Sequence, residues 1–264
     1  MNKKRIDVLL TEKGFFPTRE RARAALMAGI VLADGRRIEK PGDSVGETAA
    51  IKIIGNDLPY VSRGGLKLEK ALDVFALDLA GKIVADIGAS TGGFTDCALK
   101  RGARKVYAVD VGYGQLAWKL RNDERVINME RVNARYLSAG QIPDKVDFAA
   151  IDVSFISLSK ILPVLKTFLA PDGVAVALIK PQFEAGREYL GKNGVVRDPA
   201  VHKCVLAKII QDAAENGFTT GNLDFSPIKG PQGNIEYLVC LCRGEEKFTG
   251  DIDAVINLAH INAK

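Results

Sequence analysis

The stretch Lys82-Ile-Val-Ala-Asp-Ile-Gly-Ala-Ser-Thr-Gly-Gly-Phe-Thr-Asp-Cys-Ala-Leu99, continued after a short gap by Lys105-Val-Tyr-Ala-Val-Asp110, decides the fold. Ile83, Val84, Ala85 and Ile87 read as a short buried strand, Gly88 to Gly93 as a tight turn, and Phe94 to Lys100 as the helix that follows. Glycine suits such a turn because the backbone must bend sharply and a ligand must come close, while the helix start offers unpaired N–H groups. A second strand, Val106 to Val109, ends in Asp110, about 20 residues beyond the turn, where α/β nucleotide folds place an acid for ribose hydroxyls.

The dinucleotide fingerprint G-x-G-x-x-G requires glycine at its second position. Counted from Gly88 that position is Ser90, with Gly93 at the third, which weakens the case for a pyrophosphate ligand. What remains, Asp86-x-Gly88-x-x-x-Gly92-Gly93 with Asp110 after the next strand, resembles the first two motifs of the class I S-adenosylmethionine-dependent methyltransferases. The resemblance implies S-adenosyl-L-methionine as cofactor, held by Asp86, Gly88, Ser90, Gly92 and Asp110. The competing reading is a structural turn in another doubly wound fold.

Outward from this centre the chain alternates strand and helix. Trp118 and Leu120 fall in a short helix, Val126 to Met129 in a strand, and Val146-Asp-Phe-Ala-Ala-Ile-Asp152 in a strand that ends on an acid. Val174-Ala-Val-Ala-Leu-Ile-Lys180 is a buried strand ending on a lysine before Pro181. A helix over 201–216, strands near 223–226 and 235–242 and a final helix near 251–261 complete the pattern. Upstream, Arg63-Gly-Gly-Leu-Lys67-Leu-Glu-Lys70 opens a helix with Leu68, Ala71, Leu72 and Phe75 at i, i+3, i+4 and i+7, leaving Lys67 off the apolar stripe. The expected fold class is α/β: a doubly wound, mostly parallel, Rossmann-like sheet. Ligands of such sheets bind at the carboxyl ends of the strands, so Asp86, Asp110, Asp152 and Lys180 should meet in one crevice. The glycine-bearing segment between Pro181 and Pro199 is expected to be a lid or binding surface.

With 264 residues the chain has room for one large domain and a small one. It contains no run of 18 or more apolar residues and no hydrophobic signal segment after Met1, so no membrane association is expected and the cytoplasm is the expected location. Cys97, Cys204, Cys240 and Cys242 form no C-x-x-C pair and read as core residues; His202 and His260 lack a ligand spacing, so no metal is expected.

Charge is concentrated at one end. Residues 1–40 hold ten basic and five acidic side chains; from totals of 37 and 32, that leaves 27 of each sign for the rest. A polyanion should meet this segment first. Ile6, Val8, Leu9 and Leu10 form a helix face that stops at Gly14. Thr18 caps a second helix that ends at Gly29, Ile30 to Leu32 is a strand, and Asp34-Gly35 is a hairpin turn; Ile38, Val45 and Ile51 to Ile54 should complete one small sheet. Arg5-Ile-Asp-Val-Leu-Leu, followed by Thr18-Arg-Glu-Arg-Ala-Arg-Ala-Ala-Leu-Met-Ala-Gly29-Ile-Val-Leu-Ala-Asp-Gly35, resembles the small α+β RNA-binding domain shared by a ribosomal small-subunit protein and many pseudouridine synthases. The resemblance implies RNA contacts from Arg5, Arg19, Arg21, Arg23, Arg36 and Arg37, whose guanidinium groups suit phosphate. The Gly, Asn, Asp and Pro of residues 55–62 read as a linker, giving domains at 1–54 and 63–264.

Lys67, Asp152, Lys180 in Leu-Ile-Lys-Pro, and Glu236 in Gly233-Asn-Ile-Glu-Tyr-Leu-Val resemble the Lys-Asp-Lys-Glu tetrad of FtsJ-type ribose 2′-O-methyltransferases. Lys70 is the nearest rival to Lys67. With the basic amino-terminal domain and Lys180-Pro-Gln-Phe-Glu184, nearly the whole chain resembles the TlyA, or hemolysin A, family. That resemblance implies methylation of ribosomal RNA or ribosomal subunits on cytidine 2′-hydroxyls, with the tetrad catalytic and Asp152 also facing the cofactor. Burial and a neighbouring cation should lower a lysine's pKa and poise Lys180 as base or as partner of the developing alkoxide. An RNA-binding assembly factor without turnover and a cytolytic hemolysin are the alternatives.

Overall fold

The computed structural model describes residues 3–27, 29–54, 59–138, 140–244 and 248–262. Near the amino terminus β1 (Lys3–Arg5) runs directly into α1 (Ile6–Glu12), followed by α2 (Arg19–Met27), β2 (Val31–Ala33), β3 (Arg36–Arg37), β4 (Ser44–Gly46) and β5 (Ile51–Ile53). The Thr18 hydroxyl accepts from the Arg21 N–H, and Gly29 ends α2 with φ +68°. Asp34 and Gly35 both have positive φ, 50° and 75°, the twist a tight hairpin requires. Ile6, Leu10, Ala22, Leu26 and Val31 are fully buried between the two helices and the strands. Each large aliphatic among them contributes about 1.5–3 kcal/mol, a modest total for so small a core.

One expectation fails here. Val45 does not join the sheet of Ile51–Ile53: β2 is flanked by β3 and β5, whereas β4 pairs antiparallel with β1, Val45 opposite Lys4. The partner strand is Lys3-Lys4-Arg5, whose charge gives no strand signal. It is held because the Ile6 N–H donates to the Asp43 carbonyl at 2.8 Å as α1 begins.

The remaining elements are α3 (Gly64–Val74), β6 (Ile83–Ile87), α4 (Gly93–Lys100), β7 (Lys105–Asp110), α5 (Trp118–Arg121), β8 (Val126–Glu130), β9 (Val146–Ile151), α6 (Leu162–Phe168), β10 (Leu169–Ile179), α7 (Pro181–Glu184), α8 (Pro199–Glu215), β11 (Phe218–Phe225), β12 (Tyr237–Arg243) and α9 (Ile252–Asn262). The sheet order is β11-β12-β10-β9-β6-β7-β8, parallel except that β12 is antiparallel to both neighbours. Side chains alternate between two cores: Ile83, Ala85 and Ile87 face α6 and α8, and Val84 faces α3 and α4. Burial on both faces is why these strands read as continuous apolar runs.

β11 begins earlier than residue 223 because Thr219, Thr220 and Asn222 pair with β12, polar residues whose alternation gives no apolar strand signal. Of the cysteines, Cys204 departs from the expected core role and is exposed on α8. Of the expected linker 55–62, residues 55–58 lie outside the described residues; farther along, the Tyr60 hydroxyl donates to Glu69 at 2.6 Å, and the Val61 N–H donates to Asp96 at 2.8 Å. Between Pro181 and Pro199 the chain forms helical turns; Glu184 accepts from the Ser157 hydroxyl and the Leu158 N–H, and Val195 and Val196 are buried. No helix among the described residues is long and apolar enough to cross a membrane.

Candidate active site

Strand polarity assembles the site. Asp152 and Lys180 are the first residues beyond β9 and β10, which are parallel neighbours. Because β12 runs the other way, with Tyr237 opposite Ile179, its first end lies at the same edge and delivers Glu236 there. α3 crosses above and lowers Lys67 between the two acids. Lys67 Nζ donates to Glu236 Oε2 at 2.6 Å and lies 3.5 Å from Asp152 Oδ2; Lys180 Nζ lies 2.5 Å from Asp152 Oδ1 and donates to Ser154 Oγ at 2.9 Å. The four charges therefore alternate along one chain, Lys180, Asp152, Lys67, Glu236, with no net charge. Lys67 and Lys180 are each 8 % exposed and Glu236 2 %. Any one of these ions buried alone would cost several kcal/mol.

Burial pushes the Asp152 carboxyl up, but the two lysines outweigh it and hold it at about 2. At Lys67 burial lowers the pKa, and the carboxylates of Asp152 and Glu236 more than restore it, leaving a protonated ammonium. Lys70 points elsewhere, donating to the Phe225 carbonyl at 2.7 Å and pairing with Asp224 at 3.1 Å.

The glycine turn sits beside this chain. Gly88 and Gly92 have φ of +91° and +93°, and Ser90 also lies in the left-handed region at 48°. A Cβ on Gly88 would meet the Asp152 carbonyl oxygen at 2.4 Å, and one on Gly92 would meet Leu120 at 2.3 Å. Close approach is thus by the protein's own atoms, and glycine is required whether or not a ligand is bound. Asp110 accepts from the N–H groups of Ser90 at 2.8 Å and Gly112 at 2.6 Å. Asp86 Oδ2 accepts from the Thr95 N–H and hydroxyl, whereas its buried Oδ1 has no partner among the described residues. Burial, opposed by the Thr95 bonds, pushes the Asp86 carboxyl up to about 7.

Two cavities share Gly88, Ser90, Asp152 and Ser154 as a common wall. One, of about 380 Å³, is an apolar slot between Val109, Val111, Val132 and Ile156 with Asp110 at its rim. The other, of about 330 Å³, holds Lys67, Lys180, Asp86 and Glu236, together with Met27 and Glu39 from the amino-terminal unit. The first is apolar with an acid among its lining residues, as a nucleoside requires, and Asp86 is among the residues lining the second. Ser154 and Arg63, which also border the second cavity, were not singled out from sequence. Arg63 lies one helical turn before Lys67, and that spacing was the available signal.

The amino-terminal arginines divide into two sets. Arg5 grips the fully buried Asp7 through two bonds, 3.0 and 2.9 Å, and Arg19 adds a third at 2.9 Å. These bonds, Arg5's foremost, hold the Asp7 carboxyl down at about 2. Arg37 donates to the Gly29 carbonyl at the end of α2. All six are exposed, Arg5, Arg19 and Arg37 while holding these partners.

The sequence profile of FtsJ-like methyltransferases matches residues 60–243, and that of the S4 domain matches residues 4–51. A Bacillus subtilis protein provisionally named rRNA methyltransferase YqxC is 53 % identical, over 99 % of this chain and 96 % of its own. The 16S/23S rRNA (cytidine-2′-O)-methyltransferase TlyA of Mycobacterium tuberculosis is 43 % identical, over 90 % of this chain and 89 % of its own. A solved structure from Streptococcus thermophilus, provisionally labelled a hemolysin, matches with a TM-score of 0.79 at 49 % identity, covering 99 % of this chain and 97 % of that one. Matched over nearly its whole length, the chain belongs to the FtsJ-like methyltransferases, in the S4-bearing group that carries the names TlyA and hemolysin A.

Proposed function

We propose that this protein methylates a ribose 2′-hydroxyl of ribosomal RNA, at cytidine, using S-adenosyl-L-methionine. The reading rests above all on the buried Lys180–Asp152–Lys67–Glu236 chain beside a nucleoside-sized slot. The cofactor supplies an activated methyl group on a sulfonium. The slot at Asp110 and Ser90 would hold its nucleoside, and Asp86 and Asp152 would hold its amino-acid end. Lys180 Nζ would meet the attacking 2′-oxygen and stabilise the negative charge that develops as its proton passes to water, while the new O–C bond replaces the sulfonium's S–C bond and leaves a neutral thioether. Asp152 fixes Lys180, and Lys67, itself fixed by Glu236, fixes Asp152, so that the oxygen attacks in line. Residues 1–54 bind RNA, residues 63–264 carry out transfer, and 55–62 join them; a ribosomal substrate implies a cytoplasmic protein.

The direct test is transfer of labelled methyl to unmodified ribosomal subunits and to naked ribosomal RNA, with the product digested to nucleosides. Label on a 2′-O-methyl nucleoside is the expected result; label on a base would discard the mechanism.

Two further outcomes are expected. The methyl donor's ammonium beside Asp86 Oδ1 favours the ionised carboxyl. Cofactor binding therefore releases a proton and tightens as pH rises to about 7, then levels off; the dependence disappears in Asp86→Asn. Calorimetry in buffers of different ionisation enthalpy measures the proton, and pH-independent binding by the wild type would remove Asp86 from this role. Changing Arg19, Arg21 and Arg23 together to Ala should lower the slope of log affinity for RNA against log salt by about 2. An unaltered slope would move the RNA surface off α2.

A further inference from the structure

Arg63 and Glu39 form an ion pair across the two units, with side chains 22 % and 15 % exposed. Both border the catalytic cavity and also a groove of about 520 Å³ that leads away from it, between the amino-terminal unit and residues 228–233. The groove carries Arg37, Lys40 and Lys229 as cations and Asp43 as its other acid. The pair sits against the end of α2: a Cβ on Gly29 would meet Arg63 Nε at 2.7 Å, Glu39 Oε1 at 3.3 Å and Arg37 Nη1 at 3.4 Å.

On the reading above, an RNA backbone must bring a 2′-oxygen to Lys180, and every ribose brings its phosphates with it. Arg63 is the guanidinium on the cavity wall one turn from Lys67. Its planar fork suits a phosphate as well as a carboxylate. We propose that Arg63 is the phosphate anchor for the acceptor strand, and that Glu39 is a resident carboxylate holding this anchor until RNA displaces it. RNA docking then breaks the ion pair that joins the two units, and the groove becomes the path of the strand. This proposal rests on the RNA-methyltransferase function.

The test is a mutant cycle read by RNA affinity and by KM for RNA. Glu39→Ala should tighten RNA about three- to fivefold, the scale of one partly exposed ion pair, with cofactor affinity unchanged. In an Arg63→Ala background, which by itself weakens RNA about tenfold, the same change should have no effect. Asp43→Ala removes an equal charge from the same groove and is the control. An equal gain from Asp43→Ala, a Glu39→Ala gain that persists without Arg63, or weaker binding by Glu39→Ala would each overturn the proposal. Glu39→Gln, which keeps the side chain's size, repeats the comparison should Glu39→Ala unfold. Failure of the underlying function shows instead as absence of methyl transfer by the wild type, on which the binding cycle does not depend. A wild type that binds no RNA overturns both.

Discussion

In Lys180→Ala, methyl transfer to RNA should fall by about 10²- to 10⁴-fold, the usual range for a group that handles the proton or charge of the attacking atom. Affinity for the cofactor and for RNA should change little, because the cofactor slot and the amino-terminal arginines are untouched. The loss should appear in kcat. Lys180→Arg should rescue poorly despite its charge. Lys180 Nζ is fitted 2.5 Å from Asp152 and 2.9 Å from Ser154, and a planar guanidinium cannot occupy that point without displacing one of them. A fall of less than tenfold in Lys180→Ala would place the chemistry on another residue.

Glu236→Ala should lower stability by about 3–5 kcal/mol, as expected when one member of a buried ion pair is removed. Glu236 is 2 % exposed, and its Oε2 is the nearest acceptor to Lys67, at 2.6 Å. Without it the chain carries an extra buried positive charge. Replacing both partners, Lys67→Met with Glu236→Gln, leaves Lys180 and Asp152 as a self-neutralising pair and should restore much of the stability in urea unfolding, yet not methyl transfer. A double variant no more stable than Glu236→Ala would show that the pair is not the source of the loss. Recovery of activity along with stability would show that Lys67 only supports the fold.

Asp152 and Lys180 could be read because each ends an apolar run. A charge after Val-Asp-Phe-Ala-Ala-Ile or Val-Ala-Val-Ala-Leu-Ile has no cheap place except a strand end, and parallel strands share one edge. Glu236 and Lys67 were identified only by resemblance, since local pattern cannot tell that β12 is antiparallel or that α3 crosses above the sheet. Residues depending on distant partners were missed. β1 is a strand only because residues 44–46 pair with it, and Arg63 matters only because Glu39 comes from another unit. His202 and His260 looked unrelated, yet their rings lie 5.0 Å apart, with His202 Nδ1 and the Tyr237 hydroxyl 2.6 Å apart.

Asp152 faces two ways. Its carbonyl oxygen lies against Gly88 of the cofactor turn, and its carboxylate holds the lysines of the acceptor side. On the proposed function donor and acceptor are then not independent guests: any shift of the turn on loading one would reach, through a single residue, the group that positions the other. Thermodynamic reciprocity then fixes the bookkeeping, for by whatever factor the methyl donor alters the hold on RNA, RNA must alter the hold on the donor by the same factor.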